Sequence, residues 1–149
     1  MMCMSDEKKA RLDEEINHFI CCNMGKLYVM AVDMGFNLQD FSDKFLTSHF
    51  CARSLDTPYS RFQNEEEDVS MDYLLREISP RKEESGYAFS DEVAFWIGFI
   101  YRFLYFKTGL SSSELKEKVP FSYLEAKAYG LLTLDEEESL DIIKKDRKI

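Results

Sequence analysis

A chain of 149 residues matches one ordinary domain, and 45% hydrophobic residues with twelve Phe, eight Tyr and three Pro exclude a disordered chain. Nineteen Lys and Arg stand against 28 Asp and Glu, a net charge of −9 that repels phosphate backbones and argues against DNA or RNA as a partner. The same surplus favours encounter with a basic protein.

Met1-Met2-Cys3-Met4-Ser5-Asp6-Glu7-Lys8 has no basic start leading into an apolar run, so a cytoplasmic protein is expected. The four cysteines, Cys3, Cys21, Cys22 and Cys51, show no CxxC spacing. An adjacent Cys21–Cys22 bridge would be strained, so reduced thiols are expected.

In chain order, Leu12, Ile16, Phe19, Ile20, Leu27, Met30, Ala31 and Met34 recur at three- and four-residue steps. They predict an amphipathic helix capped by Ser5 and stopped at Gly35, with a kink or break at Gly25. Asn37 caps a second helix, faced by Leu38, Phe41, Phe45, Leu46 and Phe50, that runs to about Arg53. Leu55-Asp56-Thr57-Pro58-Tyr59 reads as a turn, because the residue before a proline is driven out of the α region.

A polar connector fills about residues 60–90, with an acidic run Glu65-Glu66-Glu67-Asp68 and a charged stretch Arg81–Gly86. Within it Met71, Leu74, Leu75 and Ile78 fit a short helix ended before Pro80, and the stretch on to Tyr87 is expected to be a mobile loop. Ser90-Asp91-Glu92 then opens the most apolar helix, Val93 to Phe106, stopped by Thr108-Gly109. It is too short, and with Arg102 too charged, to span a membrane, and a buried central helix is the better reading.

Three hydroxyl-to-carboxylate spacings follow, Ser111 with Glu114, Ser122 with Glu125 and Thr133 with Glu136, and each suits a capping box. They predict short helices over 111–119, 122–129 and 134–145, with Gly130 as a stop between the last two. No alternating β pattern, hairpin dipeptide or internal repeat occurs. The expected fold is all-α, a single compact domain over residues 1–149 with six or seven helices around one central apolar helix.

For chemistry, His18 and Cys22 lie four apart on the first helix, with Cys21, Cys51 or His49 as further donors, but the paired spacing of a zinc site is missing and no metal is expected. No serine or cysteine sits in a nucleophile context, Ser111-Ser112-Ser113 reading as a helix start. No glycine-rich phosphate loop is present. Neither catalytic residues nor a cofactor are therefore expected.

Arg102, inside Phe99-Ile100-Tyr101-Arg102-Phe103-Leu104, has two open readings: a structural ion pair or snorkelling side chain, and a partner-contact hot spot. The residues expected to touch a partner are Glu65, Glu66, Glu67, Asp68, Trp96, Arg102, Asp135, Glu136 and Glu137.

Asp40-Phe41-Ser42-Asp43-Lys44-Phe45-Leu46-Thr47-Ser48, running on to Leu55-Asp56-Thr57-Pro58-Tyr59, and Trp96-Ile97-Gly98-Phe99-Ile100-Tyr101-Arg102, followed by Thr108-Gly109-Leu110-Ser111-Ser112, together cover about half the chain. In these stretches the chain resembles a family of small, largely uncharacterised bacterial proteins associated with toxin–antitoxin-like loci. It departs from that pattern after Arg102, where Leu104 or Tyr105 stands in place of a tryptophan. The resemblance implies an antitoxin- or immunity-like role and brings no active site with it. The function expected is thus an acidic helical module that masks a basic toxin or enzyme. The rivals are a small enzyme or toxin using Arg102, Tyr101 and His18, and a structural homo-oligomer.

Overall fold

The computed structural model describes residues 5–57, 60, 63 and 65–149, so Cys3 and the Pro58-Tyr59 part of the expected turn lie outside the described residues. Among these residues seven α-helices and one π-helical turn follow one another: α1 (Asp6–Asp33), α2 (Leu38–Leu46), the π turn (Cys51–Leu55), α3 (Glu67–Leu74), α4 (Asp91–Thr108), α5 (Ser112–Lys118), α6 (Phe121–Leu131) and α7 (Glu136–Arg147). Among the described residues there is no sheet, only an isolated bridge between Phe36 and Lys82. The all-α class expected from the residue pattern is what forms.

Helix α1 begins on the Ser5 hydroxyl, which accepts the Lys8 N–H, and runs unbroken for 28 residues. The helix is not broken at Gly25, whose bare Cα faces α4: a Cβ there would stand 2.6 Å from the Phe95 ring. The notch is reciprocal. A Cβ on Gly98 of α4 would meet the Met24 carbonyl oxygen at 2.5 Å and the Tyr28 ring at 2.8 Å. The two glycines let the α1 and α4 backbones approach more closely than larger side chains permit, and that pair forms the most extensive interface in the molecule. Around it gathers one core of fully buried side chains, among them Tyr28, Phe41, Phe45, Ile97, Ile100, Leu104, Leu115 and Phe121. Inside that core Tyr28 meets Ser42 hydroxyl to hydroxyl at 2.6 Å, and the Tyr101 hydroxyl donates to the Val119 carbonyl at 2.7 Å, so both phenols are satisfied.

The second helix stops at Leu46 rather than near Arg53. Two hydroxyls redirect the backbone there: Thr47 Oγ1 donates to the Asp43 carbonyl at 2.8 Å, while Ser48 Oγ donates to Phe45 O at 2.7 Å and accepts from Cys51 N at 3.0 Å. The N–H groups of His49 and Phe50 are taken by the carboxylate of Glu77, at 2.6 and 2.9 Å. A side chain 28 residues downstream thus caps the turn that follows, and no local pattern reveals it. The chain then widens into the π turn, closed by the Asp56 N–H on the Cys51 carbonyl at 2.8 Å.

The stretch expected to be a mobile loop is tied down at its start. Asn37 N donates to Arg81 O at 2.7 Å, Glu83 N to Gly35 O at 2.9 Å, and Arg81 N to Asp40 Oδ2 at 2.7 Å. Two of the three expected capping boxes do not form. Ser111 with Glu114 is complete in both directions. Helix α6 instead starts from a cap at Pro120, two residues earlier than the Ser122 cap would have it, and its first residue, Phe121, is buried in the core. Asp135, not Thr133, caps α7 by accepting the Glu138 N–H at 2.8 Å, and Gly130 lies within α6 rather than ending it.

Candidate functional site

Helix α4 carries Phe95, Phe99 and Phe103 at steps of four, on one face. The rings stack in series, with centroids 6.2 Å apart for Phe95–Phe99 and 6.0 Å for Phe99–Phe103. The first half of α1 runs beside this ladder and sets the His18 ring edge-on against Phe99, 5.3 Å between centroids. From the other side the N-terminus of α7 brings Glu136, whose Oε1 lies 3.7 Å from His18 Nδ1. His18 and Glu136 stand where two depressions meet. One, of about 540 Å³, is bounded by Arg11, Glu14, Glu15, His18, Phe103, Phe106, Lys107, Glu136 and Glu137. The other, of about 460 Å³, is bounded by His18, Cys22, Glu92, Phe95, Trp96, Phe99, Leu132, Leu134, Asp135 and Glu136.

Together they form a groove with a floor of aromatic rings and a rim of six carboxylates against two cations, Arg11 and Lys107. Lys107 is itself held by Glu137 at 3.1 Å, leaving the rim acidic. Three of the rim acids, Asp135, Glu136 and Glu137, belong to the cap and first turn of α7, where the helix dipole favours negative charge. The groove is shaped to bury apolar side chains while presenting carboxylates to cations around them.

Of the residues expected to touch a partner, the fold brings Trp96, Asp135, Glu136 and Glu137 together in this groove. Glu65, Glu66, Glu67 and Asp68 lie elsewhere, at the start of α3, and line neither depression. Arg102 is withdrawn from any partner, with 3% of its side chain exposed. Its Nη1 donates to Asp56 Oδ1 at 2.8 Å, and its Nη2 to Ser112 Oγ at 3.1 Å and Cys51 Sγ at 3.5 Å. Asp56 in turn accepts the Ser112 N–H at 2.8 Å and the Ser112 hydroxyl at 2.7 Å. Burial opposes the guanidinium charge, but Cys51 and Asp56 outweigh it and raise the Arg102 pKa above its ordinary value. Of the two readings open for Arg102, the geometry is that of the ion pair, locking the π turn to α4 and the start of α5.

The residues that the sequence pattern did not assign to a partner surface are the ladder Phe95–Phe99–Phe103 and His18, the latter expected only as a metal donor or in the rival enzyme reading. The four-residue spacing of the three phenylalanines was the available signal, absorbed into a buried central helix. What it could not reveal is that α1 and α7 cover that face only in part, burying Phe99 and leaving Phe95 and Phe103 half-buried.

Tyr101 is buried on Val119, away from His18, so the trio Arg102, Tyr101 and His18 does not converge on a shared pocket. The buried thiols of Cys21 and Cys51 are pushed by desolvation up to about 12 and about 11, which lowers their reactivity as nucleophiles. Among the described residues no three side chains of metal-binding type gather, and no helix is long and apolar enough to cross a membrane. Set against family models, curated proteins and solved structures, the chain matches none.

Proposed function

We propose that this chain is a protein-binding module whose groove between α1, α4 and α7 receives an amphipathic, basic segment of another protein. The observation that carries this reading is the pairing of an aromatic floor, Phe95–Phe99–Phe103, with the carboxylate rim of Glu14, Glu15, Glu92, Asp135, Glu136 and Glu137. Rings supply buried area and a binding face for guanidinium or ammonium groups, and the rim steers a cationic segment into register. The net charge of −9 extends that steering beyond the groove. Masking a basic toxin or enzyme, as an antitoxin or immunity protein does, is the role this chemistry suits, and it agrees with the family resemblance.

Capture from the native host tests the reading. The wild-type chain and a variant reversed at Glu65, Glu66 and Glu67 are expected to retain the same basic protein. A Glu136→Lys/Glu137→Lys variant and a Trp96→Ala variant are expected to lose it while keeping helical circular dichroism. Trp96 is the sole tryptophan and borders the groove, so its emission reports occupancy directly. A partner retained equally by the groove variants would place binding on another surface. For the masking role, co-expression with the captured protein is expected to relieve that protein's toxicity or inhibit its activity.

A further inference from the structure

We propose that the exposed first half of α1 pairs antiparallel with the same segment of a second copy of this chain. None of residues 5–19 is buried, although Arg11, Glu14, Glu15 and His18 border the groove on one side of α1. On this segment Leu12, Ile16 and Phe19, spaced i, i+4, i+7, form one apolar stripe with 43%, 44% and 50% of their surfaces exposed. Helical geometry turns this stripe roughly 130° away from Arg11, Glu14 and His18, which border the groove. The two surfaces share only Glu15, which lies between them.

The charges that flank the stripe determine its occupant. Beside it Lys8 and Lys9 come first and Asp13 and Glu15 follow, while the acids of the first turn, Asp6 and Glu7, lie on other faces of the helix. A partner segment of one sign would be attracted by one block and repelled by the other, and an anionic bilayer would be repelled by the acids. The stripe complements its own reverse. With a twofold axis at Leu12, an isologous pair sets Lys9 against Asp13 of the second copy on one flank and Lys8 against Glu15 on the other. Leu12 then meets Leu12, Ile16 lies over the Lys8 stem and Phe19 meets the helix start at Ser5. A parallel pair would oppose like charges along its whole length. With three apolar side chains from each copy, the interface belongs to the weak, concentration-dependent class.

Sedimentation equilibrium of the full chain over micromolar to millimolar concentration is expected to give masses rising from 17.5 kDa towards twice that value. Leu12→Glu is expected to raise the dissociation constant at least tenfold. Lys8→Glu/Lys9→Glu alone and Asp13→Lys/Glu15→Lys alone are each expected to remain monomeric, and their equimolar mixture to recover a dimer. All of these side chains are exposed, and circular dichroism confirms that each variant is folded. A wild-type mass of 17.5 kDa at every concentration, or a dimer indifferent to Leu12→Glu, overturns the proposal. Failure of the two charge variants to recover a dimer on mixing overturns the antiparallel register. None of these outcomes depends on whether the groove binds a partner.

Discussion

Gly98 faces the backbone of Met24 so closely that the carbonyl oxygen lies 2.5 Å from where a Cβ would stand, whereas at Gly25 the obstacle is the Phe95 ring at 2.6 Å. A backbone oxygen in a helix cannot step aside without moving the helix, while a half-buried ring can turn. The two notches therefore differ in what they tolerate.

Gly98→Ala is expected to destabilise the protein by about 2–3 kcal/mol through overpacking, and Gly25→Ala by less. Gly130→Ala, where a Cβ meets nothing, is expected to stabilise by roughly 0.5–1 kcal/mol from helix propensity alone. Thermal melts of the three variants check that order. A Gly98→Ala protein melting with the wild type would mean that α1 and α4 sit farther apart than their side chains indicate.

The Arg102–Asp56 pair yields a second expectation. Its side chains are 3% and 10% exposed, so removing either leaves a charge with little water to replace its partner. Arg102→Met and Asp56→Asn are each expected to cost about 3–5 kcal/mol in urea unfolding, while the double variant costs clearly less than their sum. Arg102→Lys is not a rescue: an ammonium cannot reach Asp56, Ser112 and Cys51 from one fork as the guanidinium does.

Helix caps separate the spacing that suggests a capping box from the geometry that makes one. Ser111→Ala and Asp135→Ala are each expected to lower stability by about 1 kcal/mol. Ser122→Ala and Thr133→Ala, whose hydroxyls cap no helix N-terminus and of which Thr133 makes only an exposed 3.2 Å bond to the Gly130 carbonyl, are expected to stay within about 0.5 kcal/mol of wild type. Chemical denaturation of the four variants measures this.

These caps also mark how far local pattern carries. The α1 and α4 periodicities, the Ser5, Asn37 and Ser90 caps and the Gly109 stop are short-range physics and were legible. What local pattern misses is decided by distant groups. Phe121 is drawn into the core and starts α6 early, Glu77 caps the turn after α2, and Asp56 reaches Arg102 across 46 residues. The groove divides in the same way. Trp96 and the Asp135–Glu137 cluster stood out as residue types, whereas the partial exposure of Phe95 and Phe103 is decided by how far α1 and α7 close over α4.

The buried thiols give the last expectation, in pH. Desolvation raises Cys51 from an ordinary 9.0 to about 11 and Cys21 to about 12. In the unfolded chain both lose their protons near pH 9, while the native protein keeps them, so above that pH the unfolded state binds fewer protons and stability falls as pH rises. The melting temperature is therefore expected to be insensitive to these groups below pH 8 and to decline from about pH 9 through 11–12. Cys51→Ala flattens the part of that decline owed to Cys51. The same burial orders chemical reactivity. Peptide-resolved alkylation by iodoacetamide at pH 8.5 is expected to modify the half-buried Cys22 well before Cys21 or Cys51, since attack needs both an exposed sulfur and a thiolate. Equal labelling of Cys22 and Cys51 in the native protein would show that the π turn opens readily. In that case Arg102→Met should leave the Cys51 rate unchanged, whereas a closed turn makes the same substitution accelerate it.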